Sequence, residues 1–310
     1  QQGRSLFNNS SVKLNLNHGL LNNQNGLITA PVLVLDNLNH VNNQGGEISS
    51  AQAFTLAADS LDNGNGKLLS NQALTLRINQ ALGNIKGLIA AAALDMQATS
   101  LDNCGWTLTS RGNLDLGVSG LLDNQGQGLI NATRQLTINS AGLNNQNCTL
   151  IGNAITLDFG AATGDLNNMA GLMTSDGQLS IQHLRDLNNQ GGEIASQQSV
   201  SLTGRNLDNQ SGKLISSQRL EVNAGNLNNQ AGLISGWGRL QVSAADLDNR
   251  NNGTLSSRNG DLLLDVSGSL LNSGGGAVVT QKQLILHAGD LDNSQGGILS
   301  SGGNQTLSVA

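Results

Sequence analysis

Residues 187–212 read Leu187-Asn188-Asn189-Gln190-Gly191-Gly192-Glu193-Ile194-Ala195-Ser196-Gln197-Gln198-Ser199-Val200-Ser201-Leu202-Thr203-Gly204-Arg205-Asn206-Leu207-Asp208-Asn209-Gln210-Ser211-Gly212. The opening phrase, Leu-Asn-Asn, returns twenty residues later as Leu207-Asp208-Asn209, then as Leu227-Asn228-Asn229 and Leu247-Asp248-Asn249. Aligning the chain on the third residue of this phrase gives fourteen anchors: Asn23, Asn43, Asn63, Asn84, Asn103, Asn124, Asn145, Asn168, Asn189, Asn209, Asn229, Asn249, Ser273 and Asn293. Their spacings run from 19 to 24 residues without a break, which predicts a single continuous repeat domain over residues 1–310. Residues 1–20, with Leu6-Phe7-Asn8-Asn9 near their start, supply a degenerate first coil.

Apolar residues keep fixed offsets from each anchor. Leu stands two residues before it (Leu61, Leu101, Leu187, Leu291), and Ile or Leu five residues after it (Ile28, Ile48, Leu68, Ile194, Leu214, Ile234, Ile298). Alternating pairs follow at eleven and thirteen residues: Phe54/Leu56, Leu74/Leu76, Val200/Leu202, Leu220/Val222 and Leu240/Val242. Period-two alternation marks strands with one buried face, and no segment holds a helical period. The pattern predicts an all-β parallel β-helix, or β-solenoid, of about 20 residues and three short strands per coil. Coils stacked at about 4.8 Å would make a rod about 65–70 Å long. One coil cannot bury its own aliphatic face, but a stack can. Such a narrow interior agrees with an aromatic content of 2%.

Gly three residues after the anchor, as at Gly26, Gly46, Gly66, Gly87, Gly171, Gly192, Gly212, Gly232, Gly276 and Gly296, predicts a corner that needs positive φ or a close backbone approach. Trp106 and Cys148 hold that offset in two units, so those corners must adjust. The anchor asparagines are read as an interior ladder of stacked amides, because ligand sites are not repeated identically thirteen times. The preceding position alternates from 188 onward (Asn188, Asp208, Asn228, Asp248, Asn272, Asp292), which spaces acids two coils apart along a solvated row.

The unit Leu-Asp/Asn-Asn-x-x-Gly-x-Ile/Leu-x-Ser-x5-Leu-x-Val/Leu, seen clearly from Leu207 to Ser217, resembles the shaft repeats of filamentous haemagglutinins. These are exoproteins of bacterial two-partner secretion and include contact-dependent growth inhibition toxins. The resemblance implies a right-handed parallel β-helix and export through an outer-membrane two-partner-secretion transporter. It also implies a place on the outer surface of a Gram-negative bacterium, or secretion from it. There the parent's shaft would extend and present adhesive or toxin domains for cell–cell contact. The alternative is an adhesin module whose face or bulged loops bind a receptor or glycan. A carbohydrate-active β-helix enzyme is a third reading.

Composition narrows these choices. Net charge is −6 with only 15 scattered Lys and Arg, which argues against nucleic-acid binding. No apolar run reaches membrane-spanning length. Gln1-Gln2-Gly3-Arg4 is not a signal peptide, so the chain is read as an excised segment of something larger. Neither a nucleophile pattern, a phosphate loop nor a zinc pattern appears, so no catalytic, cofactor or metal residue is assigned. The one compact polar group is His183, Arg185 and Asp186, read as a solvated strand edge. Candidate contact residues are Trp237, at a turn offset held elsewhere by Ala51, Asn71 and Ser217, and Thr163, Arg250 and Asn251 in the two longest units. Extra residues there should bulge at 160–164 and 250–253, where recognition tends to sit. Cys104 and Cys148 belong to coils two apart, about 9–10 Å along the axis, beyond disulfide reach, and are expected as free thiols. Unpaired strand edges at the terminal coils suggest end-to-end self-association of the isolated segment.

Overall fold

A computed structural model describes residues 3–310. Gln1 and Gln2, half of the four residues on which the signal-peptide reading rests, lie outside it. Among the described residues every regular element is a strand, the strands pair in parallel, and no helix is long and apolar enough to cross a membrane. The chain forms two compact units, Gln1–Asn153 and Ala154–Ala310. Each is a stack of solenoid coils.

In both units a coil opens with a four-residue strand, such as Glu47–Ser50 or Lys213–Ser216, and turns a corner into a longer one, such as Phe54–Asp62 or Arg219–Asn228. The long strand bends midway. Where the bend breaks it, three strands result, as with Lys67–Ser70, Ala73–Ile78 and Ala81–Gly83. Register keeps like on like. Ile194 lies on Leu214, which lies on Ile234, and Val200, Leu220 and Leu240 stack the same way.

These columns are the core. In the first unit Ile28, Ile48, Leu68, Ile89, Leu108, Ile130 and Leu150 are fully buried in one column. In the second, Met173, Ile194, Leu214, Ile234, Leu255 and Val278 are at most 1% exposed. Burying each such side chain contributes about 1.5–3 kcal/mol. Of the five aromatics, Phe54 and Phe159 are buried, whereas Phe7, Trp106 and Trp237 stand outside.

The register differs from the sequence reading near the end of the second unit. Asn272, not Ser273, occupies the anchor place: it is fully buried, and Leu270 in front of it is too. Leu271 therefore fills the Asn/Asp row, pairing with Asp248 and Asp292, and the alternation of amides and acids stops there. In the next coil one extra turn residue puts Leu299 in register with Val278, so Ile298, expected inside, is 49% exposed.

The two long coils absorb their extra residues differently. Partner separation is 24 residues at Asp158↔Gln182 but 20 at Gly164↔Leu184, so four extra residues sit together in one loop. Around 250–253 the expected bulge is only one residue. Separation steps from 20 at Asn229–Asn249 to 21 at Ile234↔Leu255, 22 at Leu240↔Leu262 and 23 at Leu247↔Leu270. One residue is thus added at each of three corners.

Candidate functional site

The interior polar rows come first, because they account for most of the repeated residues. Within each unit every anchor asparagine but the last donates Nδ2 to Oδ1 of the anchor one coil on. In the first unit the links run from Asn23 through Asn43, Asn63, Asn84, Asn103 and Asn124 to Asn145 at 2.7–2.8 Å. In the second they run from Asn168 through Asn189, Asn209, Asn229, Asn249 and Asn272 to Asn293 at the same distances. The same Nδ2 reaches backbone carbonyls of its own and the next turn: for Asn209 these are Gly212 at 3.3 Å and Leu233 at 3.2 Å. A buried amide with all its partners in the fold is a structural part rather than a ligand site.

The corner glycines are explained by close approach, not by dihedral angle. Positive φ falls on the residue before them, for instance Asn65 (54°), Ser211 (56°) and Ala231 (54°). A Cβ on Gly46, Gly66, Gly87, Gly192, Gly212 or Gly232 would run into the backbone carbonyl oxygen of the anchor one coil earlier. Where Trp106 takes this place, the bond from its N–H to the Asn103 carbonyl lengthens to 3.5 Å, against 2.9 Å for Gly66 and Gly212. The following corner, at Asn124, carries an extra residue, and Gly128 takes the close-approach position.

The row before the anchors also has a local cause. Oδ1 of Asn42, Asp62, Asp102, Asn188, Asp208 or Asp248 accepts the backbone N–H two residues on, at 2.8–3.1 Å. Asn and Asp make this turn equally well through Oδ1, so either serves. Amides of neighbouring coils offset the acids: Gln44 donates to Asp62, Gln190 to Asp208 and Asn144 to Asp123. Adjacent Asp102 and Asp123 are thus turn acceptors first.

A second buried row gets no role from the sequence reading, although its Ser is in the repeat phrase. Ser50, Ser70, Ser196 and Ser216 sit at the end of the short strand, at most 5% exposed. Each hydroxyl accepts the backbone N–H two residues on and donates to a carbonyl of the coil before: Ser216 accepts from Gln218 at 3.0 Å and donates to Gln198 at 2.7 Å. Its fixed place seven residues after the anchor was the available signal.

The cysteines are free, Cys148 buried and Cys104 partly so. Burial, then the Asp102 carboxylate and finally Asp123, push the Cys104 thiol up to about 12. Burial also raises Cys148, whose Sγ donates to the Gln146 carbonyl at 3.0 Å.

Surface chemistry is concentrated beside the 158–165 loop. His183 Nδ1 lies 2.7 Å from Asp158 Oδ1. Arg185 grips Asp165 with two bonds of 2.8 and 2.6 Å, and Arg205 grips Asp186 with two of 3.1 and 2.5 Å. His183, Arg185 and Asp186 thus face partners on neighbouring coils rather than one another. Asp158 is held below the usual carboxylate range first by the Gly160 N–H and then by His183; Arg185 does the same for Asp165 and Arg205 for Asp186. The cations of these pairs stand in solvent, which screens each attraction and leaves it a small part of the fold's stability. Among the described residues no group of three His, Cys, Asp or Glu could hold a metal ion.

The candidate contact residues are not brought into one place. Trp237 is 50% exposed at the corner shared with Asn71 and Ser217, and the Arg258 guanidinium lies 5.6 Å from its ring centroid. Thr163 is exposed in the 158–165 loop with φ of 57°. Arg250 folds back on Asp248 of its own coil at 3.0 and 2.7 Å, while Asn251 donates to Gln230 at 2.8 Å.

Fold and polar rows together define a parallel β-solenoid repeat protein whose repeated polar residues bond to one another and to its own backbone. The chain belongs to the haemagglutinin repeat family, whose model matches six overlapping stretches: residues 3–77, 55–118, 109–182, 161–235, 219–274 and 259–310. Comparison with the curated proteins finds no match, and comparison with the solved structures finds none either. Repeats and solenoid fit a structural shaft of a filamentous haemagglutinin type, which suggests a secreted or cell-surface exoprotein.

Proposed function

We propose that the chain is the shaft of a large exoprotein exported by two-partner secretion to the outer surface of a Gram-negative bacterium. There it holds adhesive or toxin domains away from the cell for contact with another. One observation carries this reading: coil after coil, the repeated polar side chains are consumed by ladder and turn bonds, leaving length and stiffness as what repetition supplies. One continuous repeat domain over 1–310 is part of the same proposal. The test is to delete one whole coil, residues 190–209, from the parent exoprotein. Each coil is worth about 4.8 Å of reach. Export should survive and contact-dependent activity should change only with reach. Loss of activity from changing exposed side chains alone, at full length, would overturn the shaft reading.

A second reading, an adhesive face, draws support from Trp237. A half-exposed indole beside a guanidinium is a common contact element. If Trp237→Ala abolishes attachment to target cells while the melting temperature holds, the face itself binds a receptor or glycan.

A further inference from the structure

The extra residue at the corner between the strands Thr254–Ser257 and Leu262–Leu271 changes the hydrogen bonding there. Two coils earlier, at the same corner, every backbone N–H is used: Ser217 donates to the Ser196 carbonyl, Gln218 to Ser216 Oγ and Arg219 to Ser199 Oγ. In the longer corner Asn259 donates to the Trp237 carbonyl at 2.7 Å, and the next bonded N–H is that of Leu262, to Gln283 at 2.9 Å. Among the described residues the peptide unit joining Asn259 to Gly260 is thus bonded at neither end, since the Asn259 carbonyl accepts nothing and the Gly260 N–H donates nothing. The Asn259 side chain is exposed and unbonded as well. Gly260 is held instead by its own carbonyl, which accepts from Ser257 Oγ at 2.9 Å and Thr280 Oγ1 at 2.7 Å. A Cβ on Gly260 would meet the Gly238 carbonyl oxygen, so packing against the preceding coil demands glycine at this place.

The pair is therefore set up for ring closure. No side chain shields the Gly260 nitrogen, and no hydrogen bond has to break before it turns toward the Asn259 carboxamide. Its electron pair attacks Asn259 Cγ. The N–Cγ bond forms, the Cγ–Nδ2 bond breaks, and Nδ2 leaves as ammonia with the proton from the Gly260 nitrogen. Water then opens the resulting succinimide. Addition at Cγ gives aspartate. Addition at the main-chain carbonyl gives isoaspartate, whose backbone runs through the former side chain and is longer by a methylene. The other Asn-Gly pairs, Asn25-Gly26, Asn63-Gly64, Asn65-Gly66 and Asn252-Gly253, each have the glycine N–H donated within the corner.

We propose that Asn259-Gly260 is a self-modification site of the folded solenoid, converting to isoaspartate and aspartate with water as the co-reactant. The conversion places a carboxylate next to Arg258, whose guanidinium lies 5.6 Å from the Trp237 ring centroid, and lengthens the corner bonded to Trp237. The proposal stands apart from both readings of the whole protein, and its failure leaves them unchanged. The test incubates the folded 310-residue chain at mildly alkaline pH and follows all five pairs by peptide mapping, with enzymatic methylation of isoaspartate as a second readout. Asn259 should convert about tenfold or more faster than any of the other four asparagines, because only its peptide needs no local opening. Isoaspartate should appear together with aspartate. In denaturant the five rates should converge. Hydrogen exchange should find the Gly260 N–H unprotected beside protected Gly26, Gly66 and Gly253. Asn259→Gln, whose longer side chain closes a ring far more slowly, should lose the signal at an unchanged melting temperature. Persistence of Asn259 in the folded chain, or five equal rates there, overturns the site, as does a methylation signal that survives in Asn259→Gln. Aspartate without isoaspartate overturns ring closure as the route, and a protected Gly260 N–H overturns its structural cause.

Discussion

Replacing Asn209 by alanine removes one rung from the ladder of the second unit. Asn209 is fully buried. It accepts from Asn189 at 2.7 Å and donates to Asn229 Oδ1 at 2.8 Å, Gly212 at 3.3 Å and Leu233 at 3.2 Å. The worst consequence falls on Asn229 Oδ1, which loses its donor in a place closed to water. One orphaned acceptor costs about 1–3 kcal/mol, and the other lost bonds add about 1 kcal/mol each at most. Asn189 keeps its bonds to Gly192 and Lys213, which limits the damage on that side. The expected loss is roughly 3–5 kcal/mol. Long repeat arrays do not unfold in two states, so this should be read locally, by native-state hydrogen exchange of the coils around residue 209. Asn226→Ala is the control. Asn226 is exposed, donates to Asn206 at 2.9 Å, and should change local stability by less than about 0.5 kcal/mol. Asn209→Asp should be worse than alanine at neutral pH, because a carboxylate cannot donate and would face carbonyl oxygens. It should recover partly on acidification, when the protonated acid regains one donor. If Asn209→Ala and Asn226→Ala open alike, the ladder is not what holds these coils.

Gly212→Ala should destabilise by about 1–3 kcal/mol, because its Cβ meets the Asn189 carbonyl; equal stability in denaturant titration would refute the close-approach account. With the Cys104 thiol pushed up to about 12, a maleimide should label it far more slowly at pH 7.5 than a free peptide thiol, and Asp102→Asn should speed the reaction. A 104–148 disulfide found by mass spectrometry would contradict the coil register. Asp158 has a lowered proton affinity in the folded state, so its contribution is present above the unfolded carboxylate range and is lost as pH falls through the lower folded value. Exchange protection of the 158–165 loop should therefore drop at acid pH in the native chain, and the drop should vanish in Asp158→Asn. Trp237→Ala should shift stability by no more than about 0.5 kcal/mol, since half of the side chain is already in water.

The fold was legible because a coil repeats the same demand at nearly the same spacing. Leu187, Asn189 and Gly192 mark one corner, and thirteen further copies average out local noise. Register failed at Ser273 for a specific reason. Leu270-Leu271-Asn272-Ser273 offers two phases of Leu-x-anchor, and three single-residue insertions blurred the count that would have chosen between them. The corner glycine was located correctly except at Gly296, where the extra turn residue passes the close approach to Gly297, and its cause was not separable in sequence. The left-handed position beside it tolerates Asn, Lys, Ala and Ser, so only packing against the previous coil demands glycine. The surface was least legible. Asp158 and His183 lie 25 residues apart, and Arg111 and Asn71 lie 40 apart. Such pairings appear only when whole coils are laid on one another.

The tight corners have a consequence for how the protein ages. Asparagine followed by glycine is prone to lose ammonia, because the glycine nitrogen, unhindered by a side chain, attacks the asparagine carboxamide carbon. Here that nitrogen is occupied at four of the five such pairs, all but Asn259-Gly260. Gly26 donates to Asn23, Gly66 to Asn63 and Gly253 to Arg250 at 2.9–3.0 Å, and Gly64 donates to Asp62 Oδ1 at 2.8 Å. The backbone would have to release its turn before the ring could close. Peptide mapping after prolonged incubation should show these four sites deamidating in the unfolded chain and persisting in the folded one, so the corner that lets coils approach also protects an asparagine-rich solenoid from chemical ageing.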